Sequence, residues 1–423
     1  MTALPLKILY VHHGSGMGGA PQLLLTLIRA LDRSRFDPLV WCIRRSSASA
    51  YFESHGIPVI YESNVTPFLH ISDGFYGFAH PHRVAFMLAG QWRSYRTARR
   101  LFDHVSPDLI HINSVVLPGV LLAAARTRRP VVLNVLECVH PGYLGLRRAL
   151  LQLLSKRCAD AFIFMLPSEA RRWHLEHHPR AVCLFDFISP PPSTPPKSSL
   201  RREFHVADNI PLIAYFGRFT QAKGVHLLLH ALGLLRARGI PFHCLLVGPL
   251  PPQSPPSFSS HIARLLGRRP YLALLRQLIA QFQLHNYVTF TGERTDVADL
   301  VPQCDILVVP FTEPHFSRLC GEAALAARPV VAFNIDGPGE EIIDGVTGLL
   351  AKPFSPTDLA DKLEILLTHP ALRHQLGAAA RQHAANFFDA DRNVRAVLSL
   401  YSTLLPTPPL SHPHPRSTFS LHS

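Results

Sequence analysis

The chain has 423 residues, 47% of them hydrophobic, and a formal charge of +13, which bounds it to two or three domains with sizeable cores. No apolar run is long enough to span a bilayer, and the amino-terminal residues carry no charged-then-apolar leader with a cleavage site. The seven cysteines are scattered and never form C-x-x-C, so they read as buried thiols of a reducing cytoplasm and exclude a disulfide framework or zinc site.

Lys7 to Val11 is predicted as a buried strand. It runs into a glycine-rich turn and then a helix over Leu23 to Leu31. Gly14, Gly16 and Gly19 match G-x-G-x-x-G in a strand–turn–helix context, and Gly16, Gly18 and Gly19 let the backbone approach a ligand closely. A dinucleotide site also wants an acid after the second strand. That strand, Pro38 to Ile43, ends in Arg44-Arg45, which disfavours NAD and leaves an NADP site formally open. Residues 65–82 are rich in glycine, proline and aromatics and read as an irregular loop suited to acceptor binding.

Gln91 to Val105 has helical amphipathicity. Asp108 to Asn113 and Pro130 to Leu136 are strands that end in polar residues. Polar groups just past parallel strands lie at the ligand edge, which nominates His111, Glu137 and His140 as substrate contacts. Arginine pairs recur from Arg99 to Arg269, mixed with leucine at helical spacing from Leu144 to Arg157. Each alone reads as a solvated helix face; their sum suggests contact with an anionic membrane surface. No nucleic-acid-binding signature is present.

ISPPPSTPPK, Ile188 to Lys197, is a proline-rich joint. It divides the chain into a domain over 1–188, a linker over 189–208 and a second domain over 209–385. A last helix is assigned to 386–405, and a proline- and serine-rich tail covers 406–423. The second domain opens with a strand, Pro211 to Phe216, then Gly217-Arg218-Phe219-Thr220-Gln221-Ala222-Lys223-Gly224 and a helix from Val225. Two cations five residues apart in a glycine-bounded loop can both reach one diphosphate, Arg in a bidentate manner and Lys as a mobile point charge. Residues 249–275 read as a proline-rich, basic insertion.

Residues 305–310 form a strand, followed by Glu313-Pro314, a helix over Arg318 to Ala327 carrying Glu322, and a strand over Pro329 to Phe333. Asp336 to Gly339 is read as a tight turn containing Gly337. Carboxylates at this edge suit sugar hydroxyls, and a helix start suits a phosphate. Helices are predicted over Pro356 to Leu367 and Leu372 to Phe388.

The G-R-x-x-x-x-K-G loop, with the E-P…E and G-P-G-E segments, resembles the donor half of the retaining group 1 (family 4) glycosyltransferases. The resemblance implies an α/β chain of GT-B fold, in which two Rossmann-like doubly wound parallel-sheet domains face each other across a cleft and the helix over 386–405 crosses back to the first domain. It implies transfer of a hexose from a nucleoside diphosphate sugar to a glycan or lipid-linked hydroxyl, with retention and without a metal or other cofactor. Arg218 and Lys223, with Gly217, would hold the diphosphate, Glu313 would lie by the donor sugar and Glu322 by the ribose, and His111, Glu137 and His140 would lie on the acceptor side. One residue more than the family's usual seven separates the two glutamates, which a bulge near His315 would absorb. A nucleotide-sugar epimerase of the same fold, an NADP oxidoreductase and a non-catalytic nucleotide-sugar scaffold remain open on the residues alone.

Overall fold

A computed structural model describes residues 4–14, 16, 19–68, 81–185, 188, 199–250 and 270–405. The first sheet contains β1 (Leu6–His12), β2 (Phe36–Cys42), β3 (Val59–Tyr61), β4 (Leu109–Ile112), β5 (Val131–Val135), β6 (Ala161–Phe164) and β7 (Ala181–Cys183). Its spatial order is β3-β2-β1-β4-β5-β6-β7. The second sheet contains β8 (Leu212–Phe216), β9 (His243–Val247), β10 (Val288–Gly292), β11 (Ile306–Val309), β12 (Val330–Phe333) and β13 (Gly348–Ala351), in the order β10-β9-β8-β11-β12-β13. Every strand pairing is parallel.

Parallel strands covered on both faces are apolar along their length rather than alternating. Ile8, Leu9, Tyr10 and Val11 of β1 are all fully buried. Separate apolar clusters fill the two faces of each sheet, so each half has its own core. The strand order changes its direction of progression across the sheet between β1 and β4 in the first sheet and between β8 and β11 in the second. Such a switch point opens a crevice at the carboxyl ends of the strands. The loops after β1, β4, β8 and β11 are therefore the ones set up to hold a ligand.

The predicted crossing helix is observed over Ala390–Leu404. Val394, Val397, Leu400 and Tyr401 pack with Ile8 and Tyr10 of the first sheet. Phe185 and Ile188 meet Phe387 and Phe388 where the halves join, with the Phe185 and Phe387 ring centroids 3.9 Å apart.

Several expectations are corrected. Residues 199–208, assigned to the linker, carry Leu200 and Val206 into the core of the second sheet, because their apolar side chains find a buried site there. The helix expected from Gln91 begins at Pro81, a residue preorganised for a first helical turn. A helix over Tyr271–Gln281 takes in the end of the supposed insertion and buries Leu272, Leu275 and Leu278. The Asp336–Gly339 turn leads into a short helix, Pro338–Glu341. The edge strands β3, β7 and β13 were not predicted. The linker over 189–198, residues 69–80 of the acceptor loop, 251–269 of the insertion, the tail over 406–423 and Gly18 lie outside the described residues.

Candidate active site

On the second domain, the loop after β8 is shaped by two glycines. Gly217 has φ +155°, and a Cβ there would lie 2.7 Å from the Tyr215 hydroxyl, which itself donates to the Arg218 carbonyl at 2.7 Å. Gly224 has φ +68°, and its Cβ would fall 1.7 Å from the Pro310 carbonyl oxygen. Only glycine combines that backbone conformation with so close an approach. The loop is thereby pressed onto the one after β11. Thr312 reinforces the contact, donating from N to the Ala222 carbonyl at 2.9 Å and from Oγ1 to the Gln221 carbonyl at 3.0 Å.

This packing brings Arg218, Lys223 and Glu313 into one electrostatic neighbourhood. The Lys223 Nζ stands 3.7 Å from the centroid of the Phe311 ring. Burial, with the Arg218 guanidinium adding to it, pulls the Lys223 ammonium down to about 7; Glu341 and Glu313 oppose that shift. A cation so desolvated gains strongly from an anionic ligand.

Glu322 is engaged differently. It accepts from Arg318 Nε at 2.8 Å one turn back on the helix Arg318–Leu325, and burial raises its pKa against the pull of that arginine. It is not among the charges that shift Lys223. The cap of that helix is also partly occupied, since the Ser317 N–H donates to the buried Glu341 carboxylate at 2.8 Å. That amide is not offered to a phosphate, contrary to the expectation of a helix start with its amides free. Gly337 holds φ +100°, with its Cβ position 2.1 Å from the His315 carbonyl oxygen. His315 N in turn donates to the Asp336 carbonyl at 3.3 Å. The segment containing the additional residue is thus packed against the 336–337 turn.

Across from it, Glu137 lies buried just past β5. It accepts from Ser114 Oγ at 2.6 Å and from Val115 N at 3.3 Å, and burial raises its carboxyl to about 7. His13 Nε2 is 3.8 Å from Glu137 Oε1. His140 has a structural task in addition to its position. Its carbonyl accepts from Arg147 Nε at 3.2 Å and Nη2 at 2.8 Å, and its Nδ1 accepts from Gly142 N at 3.3 Å.

His111 is a correction. Its side chain turns to the sheet face covered by the helix Ala390–Leu404, where Nδ1 meets the Tyr401 hydroxyl at 2.6 Å. It is fully buried and its pKa falls to about 3, so it is a neutral core residue and not an acceptor ligand. In the glycine-rich turn, a Cβ at Gly14 would lie 2.9 Å from His12 Nε2, a Cβ at Gly16 would meet nothing within 4 Å, and Gly19 opens the first helix.

The two edges are tied together by Glu340. It accepts from Ser168 N at 2.7 Å, Ser168 Oγ at 2.6 Å and Arg171 Nη2 at 3.0 Å, while Arg172 pairs with Asp336. Sequence reasoning missed His13, Phe311, Glu340 and Glu341. The first two sit immediately beyond carboxyl-edge strands, and the glutamates follow Gly337 in a short helix, so position was the available signal.

Two doubly wound parallel sheets joined through such an edge define the GT-B glycosyltransferase architecture. The sequence model for Glycosyltransferase Family 4 matches residues 17–184, and that for Glycosyl transferases group 1 matches residues 197–383. The chain belongs to the group 1, family 4 glycosyltransferases. Among solved structures, HepE from Anabaena in complex with UDP-glucose aligns at a TM-score of 0.72 and 24% identity, over 94% of this chain and 100% of that one. A glycosyltransferase from Rickettsia africae aligns at 0.72 and 19%, over 95% and 98%. These likenesses establish the fold. A D-inositol 3-phosphate glycosyltransferase of Corynebacterium diphtheriae is 29% identical over 178 residues, 42% of this chain and 39% of that protein. The capsular polysaccharide biosynthesis glycosyltransferase CapM of Staphylococcus aureus is 22% identical over 210 residues, 49% of this chain and 50% of that one. The chain spans half or less of the length of these curated relatives.

Proposed function

We propose that the chain transfers a hexose from a nucleoside diphosphate sugar to a hydroxyl of a glycan or lipid-linked acceptor, with retention at the anomeric carbon. The observation that carries this reading is the desolvated Lys223 ammonium, poised with Arg218 beside Glu313 at the carboxyl edge of β8. HepE and the trehalose-6-phosphate structure from E. coli hold UDP-glucose and UDP-2-fluoro glucose respectively, which supports a nucleotide-sugar as donor. In this reading Arg218 and Lys223 take the diphosphate, Glu313 orients the sugar, and Glu322 receives ribose hydroxyls. As the bond from the anomeric carbon to the phosphate oxygen breaks, charge grows on the departing diphosphate, and the two fixed cations stabilise it. The acceptor oxygen bonds to the carbon on the same face, and its proton passes to the departing phosphate. Glu137, with His13, holds the acceptor hydroxyl. Transfer takes place in the cytoplasm, with the basic surface meeting an anionic membrane, and serves polysaccharide assembly.

A thermal-shift screen of nucleoside diphosphate sugars, followed by product analysis of the hits, tests the proposal. A stabilising donor and an α-linked product from an α-linked donor are expected. Lys223→Ala should reduce transfer on the order of a hundredfold or more with the fold intact. Full activity in that variant overturns the reading.

A further inference from the structure

Two helices of the first domain each turn a group of apolar residues outward toward their amino-terminal ends. On Leu146–Cys158 the buried positions are Arg147, Leu151 and Ser155. Leu146, Leu150 and Leu153, spaced three and four residues apart, are exposed, Leu146 by 68%. Just before them Leu144 is wholly exposed on a left-handed backbone with φ +56°, a conformation that costs a β-carbon residue energy and thrusts the side chain into solvent. The Pro81–Val105 helix repeats the pattern. Leu88 and Trp92 are exposed at helical spacing with Phe86 beside them, Trp92 by 65%.

The outer faces change character in the same direction. Exposed Arg93, Arg96 and Arg100 follow Trp92, and exposed Lys156 and Arg157 follow Leu153. Both helices precede strands of the same parallel sheet, and the helix Pro118–Ala125 packs between them, so they share one flank and run the same way. Their apolar ends therefore lie together at the sheet edge that holds Glu137, and their basic ends lie together further off. An apolar tip, a tryptophan at the transition and a basic belt behind it form the layered chemistry of an anionic phospholipid surface.

We propose that this flank docks on the surface of an anionic phospholipid bilayer, with Leu144, Leu146, Leu150 and Trp92 entering the headgroup layer and the arginines facing lipid phosphates. The proposal deepens the membrane contact named above and rests on that reading only for its use, which is to bring a lipid-linked hydroxyl to Glu137. The apolar tips and that carboxylate share an edge.

The full chain is floated with phosphatidylcholine vesicles with and without phosphatidylglycerol. Binding is expected only with phosphatidylglycerol and should weaken as salt screens the arginines. A Leu144→Ser, Leu146→Ser, Leu150→Ser variant, and separately Arg93→Glu with Arg96→Glu, should each weaken binding on the order of tenfold or more. These positions are exposed, so the melting temperature and its shift with a donor nucleotide-sugar should not change. Equal flotation of the parent and both variants overturns the proposal. So does a parent that ignores vesicles and instead forms a concentration-dependent dimer that the leucine variant abolishes. Loss of donor response with flotation intact would count against the transferase reading alone.

Discussion

Glu340 and Ser168 belong to different domains, and the Glu340 carboxylate closes on both the backbone N–H and the hydroxyl of Ser168. The chelate fixes the start of the helix Pro167–Arg172 against the short helix Pro338–Glu341. It therefore fixes the acceptor edge relative to the donor edge. Glu340→Ala would strip both bonds and leave the Ser168 amide without its acceptor. Hydrogen bonds to a charged group are worth about 1.5–3 kcal/mol each, and the exposed Arg171 adds little. The expected result is a looser arrangement of the halves, read as faster proteolysis at the joint and a larger radius in solution scattering. Unchanged proteolysis would show that the apolar contacts of Phe185 and Ile188 suffice.

Donor binding should depend on pH through Lys223. Its ammonium is held near 7 in the free protein, well below an ordinary lysine, and a bound diphosphate favours the charged form. Above about pH 7 binding must then take up a proton, so donor affinity should fall as pH rises, by at most tenfold per pH unit. Calorimetry at pH 8 in buffers of different ionisation enthalpy should show the uptake, and Lys223→Arg should remove it. The same group affects stability with the opposite sense. Between about 7 and the unfolded value the unfolded chain binds more protons, so this residue makes the fold more stable as pH rises through that window. A melting temperature that responds identically in Lys223→Met would contradict this.

Gly224→Ala tests the loop geometry. The left-handed backbone alone costs about 1–2 kcal/mol for a residue with a Cβ, and the overlap with the Pro310 carbonyl adds to it. The loop carrying Lys223 should be pushed off the loop after β11, so donor affinity and denaturation midpoint should fall together. Gly239→Ala is the control, since it shares the left-handed backbone at φ +73° but nothing lies within 4 Å of its Cβ position.

Tyr401→Phe removes the partner of His111 Nδ1 and the hydroxyl that lies 3.3 Å from the Tyr10 hydroxyl. A buried polar group left without its bond costs about 1–3 kcal/mol. Denaturant unfolding should report a loss of that order. Donor affinity should hold, because the network lies in the core beneath the final helix.

The donor side was legible because its signals are local. Arg218 and Lys223 stand at fixed spacing between glycines, and the β11 apolar run announces the edge on which Glu313 falls. His111 misled for a physical reason. Position at a strand end gives the edge, while the period-two alternation decides which face a side chain takes, and here that face is closed by a helix some 280 residues later. Glu340 and Glu341 act across long separations, one on Ser168 and one on Ser317, and local pattern carries no trace of such pairings. β3, β7 and β13 are three or four residues long and sit at or next to sheet edges, too short for a periodicity to show. The first half of the Pro81–Val105 helix escaped because Phe86, Leu88 and Trp92 face solvent, which confounds any reading that equates apolar with core.

The helix Ala390–Leu404 has a bearing on biogenesis. Tyr401 and its apolar neighbours complete a flank whose other buried residues all lie at or before Leu184. While the ribosome is making the second domain, the first waits with Tyr10 and Ile8 uncovered on that side. Nascent chains of this protein should therefore remain clients of chaperones until the closing helix has emerged, and premature termination ahead of it should yield aggregation-prone fragments in place of a free-standing amino-terminal domain.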